Sequence, residues 1–468
     1  MSIYSFLVRN ILLPIAEHYN HSGIHKELKR NLIYDYFTEE QLLNIQNERL
    51  KLLIEYSYLN VPYYTKLFDK LKLKPSDITC REDLKKLPIL TKQIIRDNFE
   101  DLKSKEISKI KTLNSSSGGS TGIPLKFIKD INTWNMAWAS TFRAWNWYGL
   151  SLGDKIFTFG GNSLVKNKTK LLNFTSKEIF DHFIMRNYKR DCSNLSEEAM
   201  DSHYKYLMKV NPKAIRGYPS AIYYLAQFIK KNNLKRPNIK VILTTGEMLL
   251  SQQRLMIQNV FRVPIYDSYG AGDGGIASHE CYMHEGLHIS EERCIIEILD
   301  SDNKNLPDGE VGSVISTDLG NFAFPFIRYE VGDLSYIKKE KCSCGRSSRL
   351  FGTIVGRSGK VLINKQGKPY TSIIVDNMMF KNMDYHKEEH QLIYQKMDKF
   401  QVYQDINGDI LIRIVPKDRN ESLETFKYLN ENFSKCFPNS KIELQFVEYI
   451  SPMKSGKLNY VVSDFHYK

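Results

Sequence analysis

The sequence predicts an α/β domain joined to a smaller α+β domain. Three observations carry that reading. From about Asn114 to Arg357, short apolar runs with strand character alternate with helical stretches, the pattern of a sheet covered by helices. After Arg357 the texture changes to a hairpin, a helix and a further strand. The length, 468 residues, accommodates two to four domains at about 100–200 residues each.

Thr38-Glu39-Glu40-Gln41 reads as a capping box, in which a Thr hydroxyl and a Gln side chain three residues on satisfy each other's backbone amides. It opens a helix carrying Leu42, Leu43, Leu50, Leu53 and Ile54, ended by Asn60-Val61-Pro62-Tyr63-Tyr64. Leu87-Pro88-Ile89-Leu90-Thr91-Lys92 is a turn entering another helix. The runs Lys155–Phe159, Ala214–Gly217, Lys240–Thr244 and Val263–Tyr266 read as buried strands, with Ser220–Lys231 as a helix between them. The domain boundary falls near Gly356–Lys360, giving a large unit 1–357 and a small unit 358–468. In the small unit, Phe400-Gln401-Val402-Tyr403 and Ile410-Leu411-Ile412-Arg413-Ile414 alternate about Asn407-Gly408-Asp409 as a hairpin. Glu421–Cys436 follows as a helix and Lys441–Val447 as a strand.

Composition narrows the class. Apolar residues at 42% support a sizeable core and exclude disorder. No apolar run reaches the roughly 20 residues of a membrane span, and seven scattered Cys do not make a disulfide scaffold. A cytoplasmic, enzyme-sized protein is expected. The 66 Lys and Arg against 53 Asp and Glu leave +13, which favours an anionic partner. The cations are dispersed, in pieces such as Lys166–Lys170 and Lys338–Lys341, without the aromatic-interleaved stripe of a nucleic-acid binder. Met1–Asn20 aligns Ile3, Phe6, Leu7, Ile11, Leu12 and Ile15, read as a packing arm or as a helix lying on a membrane surface. Arg9, Pro14 and the lack of a small-residue cleavage site argue against a signal peptide.

One segment is built for phosphate. Ser115-Ser116-Ser117-Gly118-Gly119-Ser120-Thr121-Gly122-Ile123-Pro124 combines glycines, which let amides turn toward an anion, with hydroxyl donors. It lacks the Gly-Lys-Ser/Thr of a Walker A loop. Downstream stand Gly217-Tyr218-Pro219-Ser220, Thr245-Gly246-Glu247 and Asp267-Ser268-Tyr269-Gly270-Ala271-Gly272-Asp273. Arg328-Tyr329-Glu330-Val331-Gly332-Asp333, Gly356-Arg357 and Ser455-Gly456-Lys457 follow. Each is weak alone; their order and spacing are specific.

In those motifs the chain resembles the adenylate-forming superfamily of acyl-CoA synthetases, luciferases and peptide-synthetase adenylation domains. Within it the sequence is most similar to the phenylacetate–CoA ligase-related branch, including capsular-polysaccharide ligase-like (CapK-like) members, over nearly its whole length. The resemblance implies a large N-terminal domain of sheets with flanking helices and a small mobile C-terminal domain. It implies a two-step reaction, in which a carboxylate attacks the α-phosphate of ATP and an acceptor amine, hydroxyl or thiol, such as CoA, then displaces AMP. Ser117, Gly118, Gly119, Ser120, Thr121 and Gly122 would wrap the β- and γ-phosphates. Gly246 and Glu247 would flank the nucleotide, and Tyr269 and Gly270 would meet adenine. Asp333 would accept the ribose hydroxyls, Arg357 would hold ribose or phosphate, and Lys457 would be the catalytic lysine between carboxylate and α-phosphate. Two positions depart from the family pattern. Asp273 stands where a Mg²⁺-binding Glu is usual, and the hinge reads Gly356-Arg357-Ser358-Gly359-Lys360 without the usual acid, leaving Gly359 or Lys360 as the pivot.

A second constellation suits a metal. Cys342-Ser343-Cys344 pairs two thiols, and Cys281-Tyr282-Met283-His284-Glu285-Gly286-Leu287-His288 adds a thiol and two imidazoles. Three Cys and one His make a closed tetrahedral Zn²⁺ site of structural type. The residues alone leave His284 and His288 open; similar segments in the same branch favour His288. The resulting expectation is an ATP-dependent carboxylate ligase in surface-polysaccharide assembly, or an acyl- or aryl-CoA ligase. The rival from another class is a zinc-stabilised, basic nucleic-acid-binding protein, supported by the +13 and the Cys-x-Cys.

Overall fold

The computed structural model describes residues 3–20, 23–116, 125–161, 164, 185–192, 194, 196–354, 356–357, 362–367, 369–370, 375, 378–379, 396–451 and 460–465. All four apolar runs read as strands join one parallel sheet. Its order is Asn187–Asp191, Ile156–Gly160, Ala214–Gly217, Val241–Thr244 and Ile265–Tyr266. Side-chain alternation divides the sheet between two cores. Ile156, Ala214, Val241 and Leu243 face helix Ile131–Trp147. Phe157, Phe159, Ile215 and Ile242 face helices Glu197–Val210, Pro219–Lys231 and Ser251–Phe261.

The other half of the large domain is antiparallel. Cys294–Leu299, Gly312–Asp318, Tyr329–Ser335 and Gly356–Arg357 form one sheet, and Leu350–Phe351, Leu287–Ile289, Ser278–Glu280 and Ser268–Tyr269 another. Helices Glu39–Asn60 and Pro62–Leu71 cover its core through Leu50, Leu53, Ile54, Tyr64 and Phe68. Thr38 and Gln41 close the expected capping box. The Leu87–Leu90 segment is anchored by Arg328. The Leu90 N–H donates to the Arg328 carbonyl at 2.9 Å, and Arg328 Nη1 donates to the Leu87 carbonyl at 2.7 Å. The same buried guanidinium makes a forked pair with Glu297 at 2.9–3.1 Å.

The small domain has its own core. Its sheet runs Ile442–Phe446, Ile410–Pro416, Met397–Gln404, Val461–Ser463, with the central hairpin antiparallel and both outer strands parallel to their neighbours. Asp405 Oδ1 accepts the Asn407 and Asp409 amides, which builds the hairpin turn. The predicted helix is divided into a 3₁₀ turn, Leu423–Phe426, and an α-helix, Tyr428–Cys436, whose Leu429 and Phe433 seal the sheet. Met248 and Leu250 of the large domain join this core, Gln253 Nε2 donates to Tyr460 Oη at 2.9 Å, and Lys399 Nζ lies over the Tyr224 ring.

The N-terminal reading needs correction. The chain is helical from Ile3 to Asn20, but it packs through Val8 and Leu13, both fully buried. Phe6, Leu7, Ile11, Leu12 and Ile15 are exposed. The aligned residues stay together on the exposed side before and after a π-helical turn at Val8–Leu12, and the packing falls to residues outside that alignment.

Glu297→Ala leaves Arg328 buried without its carboxylate, which should cost about 3–5 kcal/mol of large-domain stability. Urea unfolding checks this: the double variant Glu297→Met/Arg328→Leu should recover most of the loss, whereas a single variant as stable as the parent would show the pair to be dispensable.

Candidate functional site

The parallel sheet delivers three motifs to one crevice, because ligands in open α/β sheets meet the loops at the carboxyl ends of the strands. Gly217 ends its strand so close to a neighbour that a Cβ would stand 2.0 Å from the Phe159 carbonyl oxygen. After Val241–Thr244 the chain turns through Gly246 at φ 80°, a left-handed conformation that favours glycine. Glu247 then reaches back, its Oε2 accepting the Ser220 N–H at 3.1 Å at the start of the helix after Gly217. After Ile265–Tyr266, Asp267 accepts from Thr244 Oγ1 at 2.6 Å, and Ser268 Oγ donates to the Thr244 carbonyl at 2.8 Å. The Asp267 amide donates to Glu280, which Arg254 grips through both carboxylate oxygens.

Two Tyr–Asp pairs join the two antiparallel sheets: the segment from Ser268–Tyr269 to Asp273 meets strand Tyr329–Ser335. Tyr269 Oη donates to Asp333 Oδ2 at 2.7 Å, and Tyr329 Oη donates to Asp273 Oδ2 at 2.9 Å. Asp333 and Arg357 are cross-strand partners. The Tyr269 ring stands edge-on to Phe351, which leaves its orientation fixed from one side. Burial raises the Asp273 carboxyl above the ordinary range, against the lowering effect of its backbone and Tyr329 hydrogen bonds. Thus Tyr269, Asp273, Asp333 and the Arg357 backbone are linked by hydrogen bonds and strand register, and Gly246 and Glu247 follow the strand whose Thr244 binds Asp267 and Ser268. Ser117 to Gly122, Gly359, Lys360 and Lys457 lie outside the described residues. The strands Thr112–Ser116 and Lys126–Asp130 that flank the glycine-rich segment pair as a hairpin, Ser116 opposite Lys126.

The metal constellation is also gathered. Ligand atoms of Cys281, His288, Cys342 and Cys344 all lie within 4.8 Å of one another. The Cys281 and Cys342 sulfurs are 3.4 Å apart, and Cys344 Sγ is 3.3 Å from His288 Nε2. Ser348 Oγ, 2.9 Å from His288 Nδ1, fixes the ring with Nε2 toward the thiols. His284 points elsewhere, pairing with Glu280 at 3.0 Å and stacking on Tyr266. Three sulfurs and one imidazole nitrogen at this spacing fit a closed tetrahedral zinc site.

Sequence reading missed Arg216, which lies beside Trp138. Arg216 was visible as a charged residue inside the run Ala214–Gly217, otherwise read as a buried strand. It also missed the Asp267–Glu280–Arg254 network, whose partners are brought together only by the sheet edge.

Known proteins share this fold. A family model described as "CapK C-terminal domain" matches residues 364–464. The phenylacetate–coenzyme A ligase of Thermus thermophilus is 26% identical over 342 residues, 69% of this chain and 72% of that protein. Protein CapK of Staphylococcus aureus is 24% identical over 431 residues, 90% of this chain and 89% of that protein. The crystal structure of 2-hydroxyisobutyryl-CoA ligase in the postadenylation state superimposes with a TM-score of 0.73 at 17% identity, covering 92% of this chain and 91% of that one. The same ligase in its thioesterification state gives 0.60 at 18% identity, covering 92% of each chain. The chain is therefore similar to the phenylacetate–CoA ligase and CapK group and has the fold of adenylate-forming CoA ligases.

Burial, opposed by the Thr244 hydrogen bond, moves the Asp267 carboxyl up to about 7. Its folded value exceeds the unfolded value near 4, so its stabilising contribution is complete below about pH 4 and is lost as pH rises to about 7. Asp267→Asn should therefore gain on the parent protein as pH rises from 5 to 8 in urea unfolding. A stability difference that stays flat across that range would show that Asp267 titrates normally.

Proposed function

We propose that this AMP-forming ligase activates a carboxylic acid as its acyl-adenylate and transfers the acyl group to an amine, hydroxyl or thiol acceptor. The observation that carries the reading is the Tyr269–Asp333 hydrogen bond, which sets an aromatic ring and a carboxylate side by side at the carboxyl edge of the parallel sheet. That pair suits adenosine: the ring offers a flat face to adenine, and the carboxylate accepts two ribose hydroxyls. Ser117 to Gly122 supply amides and hydroxyls to the β- and γ-phosphates. Mg²⁺ would neutralise phosphate charge, and Asp273 offers it a carboxylate oxygen. Lys457 screens the two anions that must meet, the substrate carboxylate and the α-phosphate. The setting we favour is the cytoplasm, where ATP is supplied.

The acceptor divides two readings. Similarity to CapK along 90% of the chain supports an amine or sugar acceptor in surface-polysaccharide assembly. Similarity to ligases named for coenzyme A supports a thiol acceptor. We favour the first, because the small domain itself matches the CapK C-terminal family. We also infer that the small domain stands as in the postadenylation arrangement. One ligase fits this chain at 0.73 in that state and at 0.60 in its thioesterification state.

ATP–pyrophosphate exchange against a panel of carboxylic acids tests the activity. Lys457→Ala should lower exchange by about 10²–10³-fold, the scale of one lost transition-state contact, without changing the melting temperature. Exchange at the parental rate would remove Lys457 from the reaction. Asp333→Ala should weaken ATP binding in calorimetry, and equal affinity would remove Asp333 from the ribose site. For the metal, mass spectrometry of protein purified without a His-tag should find one zinc per chain. Zinc should be lost in Cys342→Ser/Cys344→Ser and in His288→Ala and kept in His284→Ala. A stoichiometry near zero in the parent protein defeats the zinc assignment.

A further inference from the structure

The first two helical segments turn an apolar and cationic surface to solvent. Along Ile3–Asn20, Phe6, Leu7, Ile11, Leu12 and Ile15 are exposed, Phe6 by 56%. The segment is held from its other side. Val8 and Leu13 are buried in the cluster that contains Phe142 and Trp145, and the Tyr4 ring lies 4.3 Å from the Arg186 guanidinium carbon. Single exposed apolar residues are ordinary on a protein surface, but five large ones on one anchored helix mark a contact surface.

The next helix, Ile24–Tyr34, packs into the same cluster through Ile24 and Leu28. It is tied to the first segment by the His25 N–H, which donates to Glu17 Oε1 at 2.7 Å. Its outward residues, Lys26, Lys29, Arg30 and Ile33, recur at three- and four-residue spacing and so share one face. Tyr36, 89% exposed, follows directly. The acids of this stretch are turned inward. Glu17 and Glu27 are buried, Glu27 Oε1 accepts from Arg30 Nη1 at 3.0 Å, and Asp35 Oδ2 accepts from Trp147 Nε1 at 2.7 Å. Among the described residues from 3 to 36, each exposed one is apolar, aromatic or cationic, apart from Asn10, and none is a carboxylate. Lys26 and Lys29 enter no ion pair among the described residues.

We propose that this surface docks the protein onto an anionic lipid bilayer. The first segment lies in the plane of the interface with Phe6, Ile11 and Ile15 among the upper acyl chains, and Lys26, Lys29 and Arg30 meet lipid phosphates. The charge pattern selects this occupant. An apolar strip flanked by cations and free of carboxylates complements an apolar layer bounded by phosphates, and the binding of such a helix grows with its apolar area and with its attraction to anionic headgroups. A second copy of the same surface would bring cations against cations, which disfavours self-association through it. The helix lies on the bilayer and does not cross it, since no helix among the described residues is long and apolar enough to span a membrane. The net charge of +13 adds attraction at longer range. The proposal is independent of the ligase reading.

Flotation of the full chain with large unilamellar vesicles tests it. Binding to equimolar phosphatidylglycerol and phosphatidylcholine should exceed binding to phosphatidylcholine alone by about tenfold or more, and salt at about 1 M should remove the difference. Phe6→Ser/Ile11→Ser should lower binding to the anionic vesicles by about tenfold or more, with the lipid-free melting temperature at its parental value. Lys26→Gln/Lys29→Gln should lower the same binding by about tenfold and flatten its salt dependence. Ile406→Ser, which removes a 74% exposed isoleucine from the small domain, should bind as the parent does. Equal binding to neutral and anionic vesicles overturns the proposal, as does parental binding by Phe6→Ser/Ile11→Ser or a loss as large in Ile406→Ser. A lipid-free dimer in sedimentation velocity that Phe6→Ser/Ile11→Ser dissociates would assign the surface to a second copy and also overturn it. Should the apolar variant melt lower than the parent, the lysine variant, whose side chains are exposed, decides: unchanged binding to anionic vesicles sinks the docking surface.

Discussion

The hydrogen bond from Tyr269 to Asp333 holds together what the chain makes separately. Tyr269 belongs to a strand of one antiparallel sheet, and Asp333 to a strand of the other. Their contact, seconded by Tyr329 on Asp273, ties the two sheets together and holds two carboxylates in place between them. The positions of Gly246, Glu247 and Arg357 then follow from backbone register, because each sits at a strand end or on a strand paired to one of those two.

Charge is handled in two ways in this protein. Where an ionic group serves the frame it is buried with a matched partner. Arg328 forks onto Glu297, Arg254 onto Glu280, and Arg349 pairs with Glu291. Such pairs contribute modestly to stability yet are costly to break singly, which makes them fixed points for the loops they join. The thiol cluster is different: three thiols and an imidazole face one another, with Ser348 holding the imidazole in place.

The elements that sequence made legible were those with a strong local cause. Thr38 and Gln41 cap the long helix because the motif is complete within four residues. The four buried strands announced themselves as apolar runs, and the Asn407-Gly408-Asp409 hairpin as a turn between alternating residues. The N-terminal residues aligned in the sequence do share one face, but that face is exposed, and Val8 and Leu13 pack instead. Tyr269, Asp273 and Asp333 were legible by motif, whereas Arg254 and Glu280 carried no local mark.

By itself the sequence determined the succession of strands and helices and supplied three Cys with two candidate His, since periodicity, turn chemistry and residue type are local properties. Tertiary structure separates the two imidazoles and agrees with the preference for His288, because strand pairing aims its ring at the thiols and Glu280 holds His284 away. The joining of Arg254, Glu280 and the Asp267 amide was likewise settled only in the fold, because their meeting depends on distances that no spacing along the chain encodes.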